Sequence, residues 1–324
     1  MSIQDKNNHY IIGVDVSKDK LDIYGLNTNK VINIANNEKD IKKFIKSLEV
    51  KPDNSLFVME STGGYEKLLR KLLNSTGYQV HIAHPLRVHY FAKQKGYFAK
   101  TDSIDARAIK QYGEQENVQP TLAETKEAVE LKELSSRRAQ LIDLLTIEKC
   151  RIKPHQTKGI NKSLKRHVTY LETEIALLDE KISKLIESDD TLTKKAARIQ
   201  TVKGIGKKTA NMLVSMLPEL GLLNRAEIAC LCGVAPKNKD SGIKTGKRHI
   251  FGGRGHVRKA LYMVAVCAST HNPTMAQYYQ KLKGKGKESK VALIAVMRKI
   301  VITLNAMIRD EKDFCYDYNN KILA

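Results

Sequence analysis

The sequence predicts a mixed α/β domain at the amino terminus, a long helical segment after it, and a mainly α-helical domain at the carboxyl terminus. Three observations support this prediction: apolar β-branched runs alternate with amphipathic segments early in the chain, a heptad repeat follows, and helical periodicity then returns between Gly-rich basic loops. A chain of 324 residues is long enough for about two domains of the usual ~100–200 residues, and its 42% hydrophobic content supplies ordinary cores. We place the boundaries at residues 1–122, 123–193 and 194–324.

In the first domain, apolar β-branched runs predict strands, and apolar residues three and four apart predict helices. The first three strands follow one another through short connections, which favours an antiparallel meander. The resulting order βββαβαβα is that of a ribonuclease-H-like domain, in which helices cover the faces of a mixed sheet. The predicted strands are residues 10–17, 21–26, 31–35, 56–59 and 80–83, and the predicted helices are residues 37–48, 65–74 and a last helix that begins near Thr101.

The middle segment carries a heptad seam, and the last third is helical with loops. A turn at residues 154–161 contains Pro and Gly and interrupts the seam, so we expect either an antiparallel helical hairpin or a coiled coil that dimerises. Further helices are predicted over residues 194–201, 207–217, 258–271 and 290–308. The seam consists of Leu164, Val168, Leu171, Ile175, Leu178, Ile182 and Leu185.

The net charge of +21 is concentrated at the carboxyl terminus. Residues 1–122 carry +4, residues 123–193 carry zero and residues 194–324 carry +17. Such a basic domain indicates a polyanionic partner, because neutralised phosphates release counterions whatever the nucleotide sequence. The basic residues lie in Gly-rich loops and not along one face of an amphipathic helix, which disfavours a membrane surface.

Membrane insertion and secretion are not expected. No apolar run approaches the roughly 18 residues of a membrane span, and the first nine residues are polar, unlike a signal peptide. Five scattered Cys make no even disulfide framework, which indicates a reducing cytoplasm. Cys230 and Cys232 form a poor zinc motif, and small core residues are the better interpretation.

Four acidic residues are the main candidates for chemistry. Asp15 interrupts an apolar strand, Glu60 ends another strand, and Asp102 and Asp105 lie three residues apart at the start of the last helix of the first domain. Each acid alone has an ordinary explanation, as an ion-pair partner, a surface residue or a helix cap. Together they would meet in a ribonuclease-H-like sheet, and oxygen ligands of this kind suit Mg²⁺, with two ions clamping a reacting phosphate.

Gly204-Ile205-Gly206 lies between two predicted helices and is typical of a helix-hairpin-helix, whose backbone N–H groups bind phosphate. An ordinary helix–helix turn is the alternative, but Lys203, Lys207 and Lys208 around it favour nucleic-acid binding. The other candidate nucleic-acid-binding residues are Lys244, Lys247, Arg248, Arg254 and Arg258.

Ser241 lies in a polar Lys/Gly loop that follows an apolar helix end. A serine in such a loop is usually only solvated, and no G-x-S-x-G motif is present. Metal coordination or nearby lysines can activate a serine nucleophile, so the residues alone leave both interpretations open.

Three segments carry a family resemblance, namely 13–18 (GVDVSK), 60–65 (ESTGGY) and 100–106 (KTDSIDA). They resemble the catalytic domain of the DEDD insertion-sequence transposases, which include pilin-gene inverting recombinases and bridge-RNA-guided recombinases. The Gly204–Gly206 hairpin, residues 233–236 (GVAP) and Ser241-Gly242 are similar to the family's second, transposase domain. The resemblance covers roughly residues 10 to 305.

The resemblance implies a RuvC-like domain whose metal-binding tetrad is Asp15, Glu60, Asp102 and Asp105. It also implies that Ser241 is the nucleophile and forms a covalent phosphoserine link to DNA. The expected partners are double-stranded donor and target DNA, a non-coding bridge RNA, and further copies of the chain in a dimer or tetramer. In the family, metal site and serine meet across protomers, and the expected location is the bacterial cytoplasm at the nucleoid.

Two other functions stay open at this point. A RuvC-type structure-specific nuclease would use water as the attacking group and leave Ser241 without a catalytic role. A non-catalytic nucleic-acid-binding protein would use the hairpin and the basic loops alone.

Overall fold

The computed structural model describes residues 10–26, 30–97, 102–121, 125–154, 157–238, 246 and 248–315. The chain divides into two compact units, Met1–Glu124 and Thr125–Ala324. The domain boundaries expected after residues 122 and 193 stay predictions. The helical segment 123–193 clusters with the carboxy-terminal residues in the second unit, and its status as a domain of its own stays a prediction.

The first unit is built on a five-stranded mixed sheet in the order β3-β2-β1-β4-β5. β1 pairs antiparallel with β2, and β2 pairs antiparallel with β3, which confirms the predicted meander. β1 and β4 are parallel neighbours, as are β4 and β5, so the two carboxyl ends of β1 and β4 meet at one edge. The strands are β1 (Tyr10–Val16), β2 (Lys20–Tyr24), β3 (Ile32–Ala35), β4 (Ser55–Glu60) and β5 (Gln79–Ala83).

Helices cover both faces of this sheet, as the sequence predicts. Ile12 and Val14 pack with α1 and α2 on one face, whereas Ile11 and Val58 pack with α3 and α4 on the other. These two cores follow from strand alternation, which sends successive side chains to opposite faces. The mixed α/β fold therefore fits a ribonuclease-H-like domain. The helices are α1 (Glu38–Lys46), α2 (Glu66–Ser75), α3 (Pro85–Gln94) and α4 (Asp102–Gln115).

The helix α3 is missing from the sequence prediction. Pro85 was expected only to end the fifth strand, but it is also the first residue of α3, where its fixed φ and absent N–H suit a helix start. The His84 side chain completes the cap by accepting a hydrogen bond from Leu86 N at 3.2 Å. The same device begins the later helix Pro273–Gly284, where Pro273 follows the cap residue Asn272.

The second unit is mainly helical and has one large core. That core draws on α7 to α12, with Leu131, Ile182 and Ile186 contributed by α5 and α6. A short antiparallel pair, β6 with β7, joins the residues on either side of the basic segment 238–248, which is called the basic loop below. The elements are α5 (Lys126–Arg151), α6 (Lys158–Glu187), α7 (Asp190–Gln200), α8 (Lys207–Met216), α9 (Arg225–Leu231), β6 (Pro236–Lys237), β7 (His249–Ile250), α10 (Gly255–His271), α11 (Pro273–Gly284) and α12 (Ser289–Arg309).

The heptad segment forms two helices, α5 and α6, that pack against each other within the chain. The two helices run in opposite directions, since Lys149 near the end of α5 lies with its Nζ 2.7 Å from Glu172 Oε1, whereas the earlier residue Arg138 pairs with the later residue Asp179. The hairpin is therefore antiparallel. A regular coiled coil, and pairing of this segment between chains, stay predictions.

The sequence was expected to contain no apolar segment long enough to span a membrane. The helix α12, however, is long and apolar enough to cross a membrane by length and composition. However, 56% of its most apolar stretch is buried inside the second unit. Val296, Ile300 and Leu304 lie in the core of that unit. We therefore interpret α12 as a core helix.

Candidate active site

The four candidate acidic residues lie on elements of the first unit that converge at one edge of the sheet. Asp15 is near the carboxyl end of β1, and Glu60 is the last residue of the parallel neighbour β4. Gly13 and Val58 face α4, and residues two positions further along a strand share its face, so Asp15 and Glu60 lie on the α4 side. The strand positions of Asp15 and Glu60 are therefore neighbours, and the meeting of their carboxylates with those of the helix start stays a prediction.

The helix α4 runs over this face from the acidic edge inward. A Cβ built on Gly13 would meet the backbone of Ala106, and one built on Gly113 would lie 2.8 Å from side-chain atoms of Ile11 and Val58. The amino-terminal turn of α4, which carries Asp105, therefore lies toward the carboxyl ends of β1 and β4. Two glycines at the contact let helix and sheet approach closely.

The three described acids Asp15, Glu60 and Asp105 are all half-buried, and each makes a polar or electrostatic contact. Asp102 is the first residue of α4, and its side chain lies outside the described part of the structure. Among the described residues, no group of three or more His, Cys, Asp or Glu is arranged to hold a metal ion. The role of the tetrad as metal ligands consequently stays a prediction.

Two residues that the sequence analysis missed order the turns at this edge. Glu66 accepts three hydrogen bonds on one carboxylate oxygen, from Thr62 N at 3.2 Å, Thr62 Oγ1 at 3.3 Å and Gly64 N at 2.9 Å. The Asn36 side-chain amide donates to Ser17 O at 2.9 Å and to Tyr65 O at 3.1 Å. Asn36 thus ties the turn after β1 to the turn after β4, which are the strands of Asp15 and Glu60.

Asp22 is a third residue that the sequence analysis missed. It lies in β2 opposite Asp15 and is only 1% exposed. Its neighbours Leu21 and Ile23 are apolar, and this alternation is typical of a strand with one solvated face. The sequence gives no sign that α4 covers that face, and a carboxylate was therefore not expected to be buried there.

In the second unit, Gly204-Ile205-Gly206 connects α7 to α8, as predicted. Gly204 has φ +102° and packs against Ala268, where a Cβ would lie 3.3 Å from the alanine Cα. Gly206 caps α8 without a side chain, and Ile205 is buried in the core. This geometry explains both glycines structurally, and phosphate binding by a helix-hairpin-helix stays a prediction.

Several basic candidates have intramolecular acidic partners. Lys207 Nζ lies 2.8 Å from Glu187 Oε1, and Lys208 Nζ lies 3.0 Å from Asp179 Oδ2. Both lysine side chains are nevertheless more than half exposed, so phosphates can compete for them. Lys203 also has a polar contact, and the described backbone of Arg248 immediately precedes β7.

Arg254, which precedes α10, and Arg258, in the first turn of α10, are both held by hydrogen bonds within the second unit. The Arg254 guanidinium donates to both carboxylate oxygens of Glu219, at 2.6 and 2.5 Å, and to Met216 O at 2.8 Å. Arg258 donates to Gly252 O at 2.5 Å. These contacts give both arginines a structural role, and contact with nucleic acid stays a prediction for each. Ser241, Lys244 and Lys247 lie outside the described residues.

The Cys residues agree in part with the sequence analysis. All five are free thiols, as expected without a disulfide framework. Cys232 is a core residue, and burial raises the pKa of its thiol to about 12. Cys230, in contrast, is exposed, so the expectation of a small core residue is wrong there. A thiol that stays protonated is a poor metal ligand.

Comparison with known proteins decides the family. Residues 12–157 match the DEDD transposase model of the IS110 group, and residues 196–280 match the model described as "Transposase IS116/IS110/IS902 family". The chain belongs to the IS110 family of transposases and recombinases. Both matches fall on segments that carry the resemblance seen in the sequence, and they confirm it.

Curated relatives of this IS110-family transposase point the same way. The chain is 29% identical over 318 residues to the pilin gene-inverting proteins of Moraxella lacunata and Moraxella bovis. Each alignment covers 94% of this chain and 97% of the relative. It is 26% identical over 150 residues to an uncharacterized 43.6 kDa protein of insertion element IS110 from Streptomyces coelicolor, covering 46% of this chain and 36% of the relative. Membership in this family supports enzymatic DNA recombination.

Proposed function

We propose that this transposase cuts and rejoins the DNA of a mobile element through a covalent phosphoserine intermediate, with Mg²⁺ assistance and a bridge RNA as guide. The observation that carries the proposal is the convergence of β1, β4 and the start of α4 at one edge and face of the sheet. The elements that carry Asp15, Glu60 and Asp105 are thus neighbours in the fold although they are distant in the sequence.

The residues at this edge fit Mg²⁺ by their chemistry. Asp15, Glu60, Asp102 and Asp105 would supply only carboxylate oxygens, which hard divalent cations prefer, and DEDD transposases generally use divalent metal. A bound pair of ions supplies positive charge that polarises a phosphate and stabilises its transition state. The half-buried position of the described acids limits access of bulk water, which strengthens such electrostatic effects.

Ser241 would act as the nucleophile. Its hydroxyl oxygen would form an ester bond to phosphorus while the ester bond from phosphorus to the leaving sugar oxygen breaks, and the serine proton would pass to that sugar oxygen as it leaves as a free hydroxyl. The new bond conserves the energy of the broken one, so a second DNA end can later displace the serine and rejoin the strand. Support comes from the family match that covers residues 196–280, in which Ser241 lies.

The second unit would hold the nucleic acids. The net charge of +17 over residues 194–324 suits both donor and target DNA duplexes and a non-coding RNA, since each presents a phosphate backbone. Lys203, Lys207 and Lys208 around Gly204 and Gly206, with the basic loop, are the proposed contacts. We further propose that the active form is a homodimer or homotetramer in the bacterial cytoplasm, at the nucleoid.

A denaturing adduct assay tests the mechanism. The full chain is incubated with Mg²⁺ and duplex DNA carrying the element's own ends, then denatured and resolved for a covalent protein–DNA complex. The proposal predicts an adduct that disappears in Ser241→Ala. Cleavage that is unchanged in Ser241→Ala would instead establish a RuvC-type nuclease that uses water.

The acidic residues are tested in the same assay. Asp105→Asn and Glu60→Gln preserve side-chain size but remove charge, so adduct formation and recombination should both be lost while thermal unfolding stays near that of the parent protein. If recombination is intact in these variants, the acidic residues are not catalytic, and the non-catalytic nucleic-acid-binding protein is the remaining interpretation. The guide is tested separately, by expressing the protein with its native flanking DNA and sequencing the RNA that copurifies.

A further inference from the structure

A polar cluster of Lys20, Asp22 and Asn33 lies beside the acidic edge of the first unit. Asp22 is opposite Asp15 in the antiparallel register of β1 and β2, and directly opposed residues project from the same face of a sheet. Lys20 shares that face because it precedes Asp22 by two residues in the same strand. The cluster is therefore on the α4 side, next to the candidate metal ligands.

Asp22 is arranged as an anchor and not as a metal ligand. Its side chain is 2% exposed, one oxygen accepts a hydrogen bond from the Asn33 amide, and the other lies 3.3 Å from Lys20 Nζ. Both oxygens are thus engaged by protein groups. A buried carboxylate is costly unless it is paired in this way, so Asp22 holds the Lys20 ammonium in a defined position.

Lys20 lies at the rim of the site. It is the first residue of β2, and Ser17 N donates to Lys20 O at 3.0 Å in the turn that leaves β1. This turn is at the same edge as Asp15. The Lys20 side chain is 46% exposed, so its ammonium reaches solvent although its partner Asp22 does not. A positioned cation consequently borders an edge that is otherwise rich in carboxylates.

We propose that Lys20 binds a backbone phosphate of the DNA next to the acidic centre, with Asp22 and Asn33 as positioning residues. This inference rests on the proposed function to the extent that DNA must reach this edge. Carboxylates repel a polyanion, and a fixed ammonium offsets that repulsion while contributing a sequence-independent contact. Because Asp22 and Asn33 set its direction, Lys20 would fix the position of the strand and not merely attract it.

Lysine footprinting tests the contact on the unmodified full chain. The protein is acetylated briefly with and without duplex DNA carrying the element's own ends, and modification is read by mass spectrometry. Lys42 is the matched control, because it is 56% exposed, is also ion-paired, and lies on α1 against the opposite face of the sheet. DNA should protect Lys20 several-fold and leave Lys42 unchanged. Equal reactivity of Lys20 with and without DNA would overturn the proposal.

Variants give a second, quantitative measurement. Lys20→Ala should weaken DNA binding roughly three- to tenfold and reduce the slope of log affinity against log salt by about one, whereas Lys42→Ala should change neither. Since Lys20→Ala leaves Asp22 buried without its cation, the double variant Lys20→Ala/Asp22→Asn removes both charges and guards against misfolding. An unchanged salt slope in the double variant would contradict the phosphate contact.

A metal-binding measurement separates this inference from the proposed function. Binding of Mn²⁺, followed by electron paramagnetic resonance, should be lost in Asp15→Asn and retained in Lys20→Ala. Mn²⁺ binding that survives Asp15→Asn would refute the acidic centre, even if Lys20 is protected by DNA. Loss of Mn²⁺ binding in Lys20→Ala would show that Lys20 supports the metal site and would overturn its assignment as a phosphate contact.

Discussion

Gly13 of β1 lies so close to Ala106 of α4 that a methyl group on the glycine would overlap the carbonyl oxygen of the alanine. The same methyl group would lie 2.5 Å from the backbone nitrogen of Lys110. Both clashing partners are helix backbone, so no flexible side chain can move aside. The contact fixes how closely the helix that carries Asp105 approaches the strand that carries Asp15.

Gly13→Ala should therefore push α4 away from the sheet and separate the acids. We expect a loss of about 1–3 kcal/mol in the free energy of unfolding, as for other overpacked contacts, and a proportionally larger loss of recombination. Urea unfolding and an adduct assay measure the two effects. Gly159→Ala is the control, since a Cβ there meets nothing within 4 Å and should leave both unchanged or slightly raise stability. Full activity in Gly13→Ala would contradict this view of the helix–sheet contact.

The sequence predicted the sheet and the positions of its acids because both depend on local patterns. Apolar β-branched runs identify strands, and a carboxylate inside such a run is conspicuous. Asp22 was missed because its burial depends on α4, some eighty residues later in the chain. Pro85 was interpreted only as the end of the fifth strand, although proline also suits the first turn of a helix. The partners of Lys207 and Arg254 likewise depend on tertiary packing, which no local pattern encodes.

Glu66→Gln should loosen the turn that follows Glu60. One carboxylate oxygen of Glu66 serves three donors, and an amide offers a weaker acceptor and brings an N–H toward the same donors. We expect a loss of about 1–3 kcal/mol in the free energy of unfolding, measured by urea titration, together with reduced recombination. Glu38→Gln breaks an exposed ion pair with Lys42 and should lower the free energy of unfolding much less than Glu66→Gln does. Equal effects of the two changes would argue against an ordering role for Glu66.

Asp179 links the helical hairpin to α8. Burial raises the pKa of this carboxyl, but hydrogen bonds from Arg138 and Lys208 outweigh it and leave the pKa below its usual value. Asp179→Asn should lower the free energy of unfolding by about 1–3 kcal/mol, because the Arg138 guanidinium then lies largely buried without its counterion. The exposed pair of Glu180 with Lys184 is the control, and Glu180→Gln should have little effect. Thermal unfolding should show a lower midpoint for Asp179→Asn than for Glu180→Gln. Equal midpoints would count against a stabilising role of Asp179 between the hairpin and α8.

Glu219 should make the second unit sensitive to acid through its pair with Arg254. Burial raises the pKa of Glu219, but hydrogen bonds from Arg254 lower it more, so the folded pKa lies below the reference value of 4.5. The pair therefore stabilises the fold fully above pH 4.5, and that contribution is lost as the pH falls through the folded pKa. Glu219→Gln should reduce the free energy of unfolding by about 1–2 kcal/mol at neutral pH, since the pair is a third exposed. Urea titrations from pH 7 to pH 3 measure the free energy of unfolding of the parent protein and of Glu219→Gln. The difference between the two should be constant above pH 4.5 and should shrink below it. A difference that grows in acid would contradict the assignment.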